Sequence, residues 1–377
     1  MNQILEVNRT SVGDTRLVEV DEPELADGQV RLHVDRFAVT ANNITYAVFG
    51  DMLGYWNFFP ADDAGWGRVP AMGWATVVES RNPDLAVGSR YYGWYPMART
   101  VVFDATATDD GFRDDGEHRQ QHAPVYRSYV ATDCDPSHDD APDGEDRHSL
   151  LRGLFFTGYL ADESFDDACG TDADSYFGAG QVVVLSASSK TGIAFAQRVA
   201  ARRDDGADLR TIGLTSPGNV EFVESLGWYD TVLTYDDVAS IPADVPSVSI
   251  DMAGNPSVLA AVHHHLGDQL KYSMTVGRSH HDAPPADSAG ELPGPTPTLF
   301  FAPTAAKRGV IQWGTEGYAQ RSSEALHDFV DASRSWLTVD RRTGPDGVQS
   351  AWADVYAGAV APSVGVVAGF DAPSGAS

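Results

Sequence analysis

Residues 186–192 read Ser186-Ala187-Ser188-Ser189-Lys190-Thr191-Gly192 and follow the apolar run Val182-Val183-Val184-Leu185. A strand that enters a helix through small residues points backbone N–H groups out of the helix N-terminus. Those donors and the helix dipole attract phosphate, and small side chains let a pyrophosphate approach the backbone. Ser186, Ser188, Ser189 and Thr191 offer hydroxyls and Lys190 a charge; of the G-x-G-x-x-G spacing only Gly192 remains, at the helix-packing position. Lys190-Thr191 also echoes the end of a P-loop, but Ser189 and Val184 stand where its two glycines belong. A helix cap without a ligand is the bland alternative. The tip of the next strand adds information. An NAD site has Asp or Glu there for the ribose hydroxyls. This chain has Thr215-Ser216 and then Asn219, which leave room for a 2′-phosphate, so a dinucleotide here is expected to be NADP(H).

The elements that must position this turn form an α/β pattern. Continuous apolar runs at Val182-Val183-Val184-Leu185, Thr211-Ile212-Gly213-Leu214, Thr231-Val232-Leu233, Val248-Ser249-Ile250, residues 271–276 and residues 298–301 alternate with helical stretches. Such alternation predicts a parallel sheet with helices on both faces, a Rossmann-type doubly wound domain. Before it, Gln29-Val30-Arg31-Leu32-His33-Val34 alternates apolar and polar, and residues 75–80 and 90–95 continue a β-rich pattern. A helix over residues 151–159 leads into the second domain. Residues 109–118 and 135–147 are acidic and lack hydrophobic periodicity, so both are expected to be solvated excursions.

The chain has 377 residues, which favours two domains, and a net charge of −28 with Asp over Glu and Arg over Lys. That surface repels nucleic acid and anionic membranes and fits solubility at high salt. No apolar run is long enough to span a membrane and no secretory signal pattern stands at the start. Cys134 and Cys169 are the 2 cysteines, too few for a disulfide framework; a cytoplasmic location is expected.

The order of parts resembles the medium-chain dehydrogenase/reductase superfamily, in its quinone-oxidoreductase and enoyl-reductase branch. The resemblance rests on residues 19–25 and 28–32, on Ala38-Val39-Thr40-Ala41-Asn42-Asn43-Ile44-Thr45, on residues 70–78 and 87–91, and on the ending 353–367. Within it, Ser186-Ala187-Ser188-Ser189-Lys190-Thr191, Gly213-Leu214-Thr215-Ser216, Asp251-Met252-Ala253-Gly254-Asn255 and Phe300-Phe301-Ala302-Pro303 resemble an uncharacterised side branch known as a domain of unknown function. The resemblance implies a GroES-like substrate domain over residues 1–153, to which residues 338–377 return, and a cofactor domain over residues 154–337.

It also implies candidate chemistry. A zinc-free reductase needs a proton donor and an anchor for developing negative charge. Asn42 and Asn43 are anchor candidates, or a turn pair. Tyr55, after Gly54, is the donor candidate and Tyr46 the second choice, with core or rim aromatics as the alternative. His280, beside His281, follows the fifth strand and is a further donor candidate in the ligand crevice. Tyr235, Ala253, Gly254, Asn255, Gly277 and Phe301 complete the expected cofactor set. Lys307-Arg308 is a rare basic pair, read as surface pairing or as a contact for an anionic substrate. Zinc is not expected. Met72-Gly73-Trp74 stands where zinc-dependent relatives carry a His-Glu pair, 2 cysteines cannot build a four-cysteine site, and His263, His264 and His265 on one helix point apart.

The leading expectation is a zinc-independent, NADP(H)-dependent oxidoreductase acting on a small carbonyl, enone or enoyl compound, working as a homodimer. Two alternatives stay open: a lyase, isomerase or pathway partner that has lost the dinucleotide, and a non-enzymatic scaffold.

Overall fold

The structure is a computed structural model and describes residues 1–252, 254–276 and 292–371. The chain forms two compact units, Met1–Arg152 with Ser333–Ser377, and Gly153–Ala332. Each is described by itself.

The first unit opens with β1 (Asn2–Asn8) and β2 (Thr15–Val20), then β3 (Gln29–Val39). In β3 the expected alternation holds: Val30, Leu32 and Val34 are buried while Arg31 and His33 are half-exposed. Two short helices follow, α1 (Ala41–Val48) and α2 (Gly50–Leu53), then β4 (Trp66–Gly67), β5 (Pro70–Ser80), β6 (Arg90–Pro96), β7 (Thr100–Thr108), β8 (Gly111–Asp114) and β9 (Ser128–Ala131). The order β3-β5-β6-β9-β8-β7 closes on itself through the β3–β7 pairing, which makes a barrel without a free edge inside the ring.

The helix α3 (Gly144–Asp166) precedes the second sheet. That sheet comprises β10 (Gln181–Leu185), β11 (Arg210–Thr215), β12 (Thr231–Thr234), β13 (Ser247–Asp251), β14 (Leu270–Thr275) and β15 (Thr298–Leu299), with α4 (Lys190–Asp204), α5 (Val220–Ser225) and α6 (Pro256–Leu266) between strands and α7 (Ala302–Ser333) after them. Every pairing is parallel and the spatial order is β12-β11-β10-β13-β14-β15. The order reverses between β10 and β13, the topological switch point where such sheets bind ligands. The strand β10 is buried throughout: Val182 and Val184 pack with Phe195 on one face, Val183 and Leu185 with Ile212 and Val262 on the other. That is why its sequence is a continuous apolar run. The chain then returns to the first unit through β16 (Thr338–Thr343), α8 (Gly344–Tyr356) and β17 (Val364–Gly369), which pairs antiparallel with β3.

The two acidic stretches correct the sequence reading. Neither is a solvated excursion. Gly111–Asp114 is a barrel strand, and Asp114, 1% exposed, faces the fully buried Arg119 at 3.2 Å. Arg119 also donates to the Phe58 carbonyl at 3.2 Å and to that of Tyr126. In the second stretch Asp135 is buried against Arg152 at 2.6 Å, and Asp146, also buried, pairs with Arg36 at 3.0 Å. Buried charges need partners; Arg36 is far from Asp146 in sequence, whereas Arg119 is a near neighbour of Asp114. A charge run therefore looks the same on paper whether it is solvated or paired. The sixth strand is also shorter than expected, ending at Leu299.

Candidate functional site

In the second unit, β10 ends at Leu185, which is paired with Leu214 of β11 on one side and Asp251 of β13 on the other. The three strand ends therefore stand side by side. Ser186 turns the chain with φ 70°, a left-handed conformation normally left to glycine. Ser189 then caps α4: its side chain accepts from the Gly192 N–H at 3.1 Å. A Cβ at Gly192 would fall 2.8 Å from the Ser186 carbonyl oxygen and 3.0 Å from Ser189 Oγ, so glycine is required there.

The hydroxyls of this turn form one network. Thr215 Oγ1 donates to Ser188 Oγ at 3.2 Å; Asn219 Nδ2 donates to Ser188 Oγ at 3.2 Å and to Ser216 Oγ at 3.0 Å. The Tyr235 hydroxyl lies close to Ser186. Ser186, Ser188, Ser189, Gly192, Thr215, Ser216, Asn219 and Tyr235 are thus brought together, and Lys190 and Thr191 open α4 beside them. Burial pushes the Lys190 ammonium down to about 8. At the β13 tip Gly254, with φ 64°, donates its N–H to Asp251 Oδ1 at 3.0 Å, and Asn255 caps α6 by accepting from Ser257 N at 3.1 Å. Phe301 stands beyond β15 and is 65% exposed. Ala253, Gly277, His280 and His281 lie outside the described residues.

Sequence reasoning missed Tyr229. Its hydroxyl contacts the Ala187 carbonyl at 3.0 Å and the Gly192 carbonyl at 3.1 Å, bracing the turn from both ends. The available signal was Gly213: a Cβ there would meet the Tyr229 ring and Ala187 Cβ at 2.8 Å.

In the first unit, Tyr46 and Tyr55 lie in one ring cluster, their centroids 4.5 Å apart. Trp94 lies 5.6 Å from Tyr46, Phe58 5.4 Å from Tyr55, and Tyr126 6.0 Å from Tyr55 and 5.3 Å from Trp94. The Tyr55 and Tyr126 hydroxyl oxygens are 3.4 Å apart. Burial holds the Tyr46 and Tyr55 phenols well above their usual range, so both stay protonated. The Asn42 side chain lies close to the Tyr46 phenol. Asn43 is occupied differently: its Oδ1 accepts from the Thr40 N–H at 2.7 Å and from Thr40 Oγ1 at 3.2 Å, and its Nδ2 donates to the Pro70 carbonyl at 2.9 Å. It closes a capping box on α1.

The remaining candidates have structural partners. Arg308 pairs with Asp167 at 2.8 Å. His263 contacts the Pro293 carbonyl and Ser273 Oγ, each at 2.9 Å, and His265 the Ile241 carbonyl at 2.7 Å. Among the described residues no group of three His, Cys, Asp or Glu side chains is placed to hold a metal ion, and no helix is long and apolar enough to cross a membrane.

Residues 37–361 match the model of the family described as "Protein of unknown function (DUF2855)". The chain belongs to that family. No curated protein sequence matches it. Among solved structures, CurA from Vibrio vulnificus in complex with NADPH is similar over 99% of this chain and 100% of its own, with a TM-score of 0.61 and 13% identity. A mutant form of the enoyl thioester reductase from Candida tropicalis covers 98% and 99% with a TM-score of 0.56 and 12% identity. The complex of Etr1p with NADP and crotonyl-CoA covers 98% and 99% with a TM-score of 0.59 and 12% identity. These likenesses give the fold of the DUF2855 chain: a GroES-like barrel unit and a parallel sheet flanked by helices.

Proposed function

We propose that the protein is a zinc-independent, NADP(H)-dependent oxidoreductase that moves hydride to or from a small carbonyl, enone or enoyl compound. The observation that carries this reading is the turn 186–192 at the switch point of the sheet, with a hydroxyl-lined, carboxylate-free tip on the neighbouring strand β11. The residues fit the group. The first-turn amides of α4 and the Lys190 ammonium would hold the pyrophosphate. Thr215, Ser216 and Asn219 accept a 2′-phosphate where an acid would repel it. Gly254, without a side chain, lets the ribose or nicotinamide approach the β13 tip. The NADPH of the CurA structure and the NADP of the Etr1p complex agree with this reading.

When bound, the dinucleotide supplies or accepts the hydride. The chain's own part is to hold substrate and move a proton. Tyr55, kept protonated by burial, is the proposed donor, with Tyr46 as its neighbour and Asn42 beside Tyr46. Asn43 is assigned to positioning α1 through its capping box. The exposed Leu299 and Phe301 at the β15 edge favour a homodimer.

The test is oxidation of NADPH, followed by its absorbance, with a panel of enones and acyl thioesters in the presence of a metal chelator. Chelator-resistant turnover with any of them supports the proposal. Loss of turnover with chelator, restored by zinc, overturns zinc independence.

A further inference from the structure

The ring cluster of the first unit has a chemical character that narrows the substrate. Tyr46, Tyr55 and Tyr126 are half-buried over the buried Phe58 and Trp94. The segments that carry Tyr55 and Tyr126 touch again where His122 Nε2 meets the Gly54 carbonyl at 3.4 Å. These same segments expose apolar side chains to solvent: Met52, Leu53 and Val125. Three arginines of this unit near the cluster are committed. Arg9 pairs with Asp51, Arg119 with Asp114 at 3.2 Å, and Arg127 with Asp115 at 3.1 Å. The His122 ring lies 4.1 Å from Phe58, and burial lowers its pKa, which keeps the imidazole neutral at physiological pH. Among the described residues of this unit, the cluster thus offers ring faces and hydroxyl groups beside cations that are already paired.

The hydroxyl pair adds a specific donor. Each phenol has one proton. With Tyr55 and Tyr126 3.4 Å apart, one hydroxyl can donate to the other, and the second proton is left for a carbonyl oxygen.

We propose that this cluster seats the carbonyl substrate, that it selects an uncharged, planar conjugated carbonyl compound over an anionic acyl thioester, and that Tyr126 is its second hydroxyl anchor. The chemistry rests on the reductase reading above. In the reductive direction the C=C bond of the substrate is lost; one carbon takes a hydride from the reduced nicotinamide and its neighbour takes a proton from water by way of a phenol. The carbonyl oxygen, negatively charged in between, is held by the hydroxyl pair. Flat rings stack on the tyrosine and tryptophan faces.

The experiment compares benzylideneacetone, an uncharged aromatic enone, with crotonyl-CoA on the full chain. Two readouts are taken: steady-state NADPH oxidation, and equilibrium binding of each compound by calorimetry with and without NADPH. The expected kcat/KM for benzylideneacetone exceeds that for crotonyl-CoA by about tenfold or more. Tyr126→Phe is expected to weaken benzylideneacetone binding by about tenfold, one lost hydrogen bond, with NADPH affinity unchanged. Tyr126→Phe keeps the ring, so its loss reads the hydroxyl; Tyr126→Leu, which removes the ring as well, should weaken binding further. A preference for crotonyl-CoA, no detectable binding of benzylideneacetone, or unchanged enone binding in both variants overturns the proposal. Enone binding that depends on Tyr126 without any NADPH oxidation upholds the site and fails the reductase reading instead.

Discussion

Replacing Lys190 by methionine isolates the one charge in the phosphate turn while keeping a side chain of similar length. Lys190 opens α4, and burial moves its ammonium from 10.5 to about 8. A charge-assisted contact with phosphate contributes about 1.5–3 kcal/mol. Losing it should therefore raise the NADPH Kd by about 10–150-fold near neutral pH. The wild-type pH profile carries the same signature. With Lys190 protonated in the complex and titrating near 8 in the free protein, affinity is nearly full at pH 7 and about half at pH 8. It falls as pH rises beyond, by about tenfold between pH 7 and pH 9. Lys190→Met removes that slope. Calorimetric titration of NADPH into both proteins across pH 7 to 9 reads both effects. An unchanged or tighter Kd in the variant, or a flat wild-type profile, would refute the assignment of Lys190 to the phosphate.

Three more outcomes follow from the same geometry. Asn219→Asp puts a carboxylate at the β11 tip beside Ser188 and Ser216, so NADPH affinity should drop by about tenfold or more relative to NADH, measured by parallel titrations. Gly192→Ala forces a Cβ to 2.8 Å from the Ser186 carbonyl oxygen; thermal unfolding should show a loss of about 1–3 kcal/mol, together with weakened NADPH binding. In the first unit His33 lies between Asp35 at 3.0 Å and Asp371 at 2.8 Å, and the Asp35 hydrogen bond raises its pKa. Its contribution to stability is therefore complete below the ordinary histidine value near 6.5 and is lost as pH rises through the raised folded value. His33→Gln should lower the melting temperature more at pH 6 than at pH 9; equal losses would count against the pairing.

The sheet of the second unit was legible because its strands are buried on both faces. Val182, Val183, Val184 and Leu185 have no polar face to confuse the reading. The turn was legible because its residues are consecutive. The ring cluster was only half legible: Tyr46 and Tyr55 are close in the chain, but Tyr126 joins them across the barrel from a segment with no periodicity of its own. The same limit hid Tyr229, whose hydroxyl acts on carbonyls about forty residues away. It also concealed the Asp114–Arg119 pair inside an acidic stretch: the two residues are near neighbours, but nothing in their types reveals that both are buried. Asn43 had two readings, a charge anchor or one of a turn pair. Its residue type and place suggested an anchor for charge, yet its amide is engaged in a cap and a buried carbonyl contact.

The most direct measurement is equilibrium binding of NADPH and NADH, separately, to the full-length protein at neutral pH. The account predicts saturable binding of NADPH, tighter than that of NADH, with one site per chain. No binding of either nucleotide at about millimolar concentration, the upper end of ordinary enzyme affinities, would contradict it.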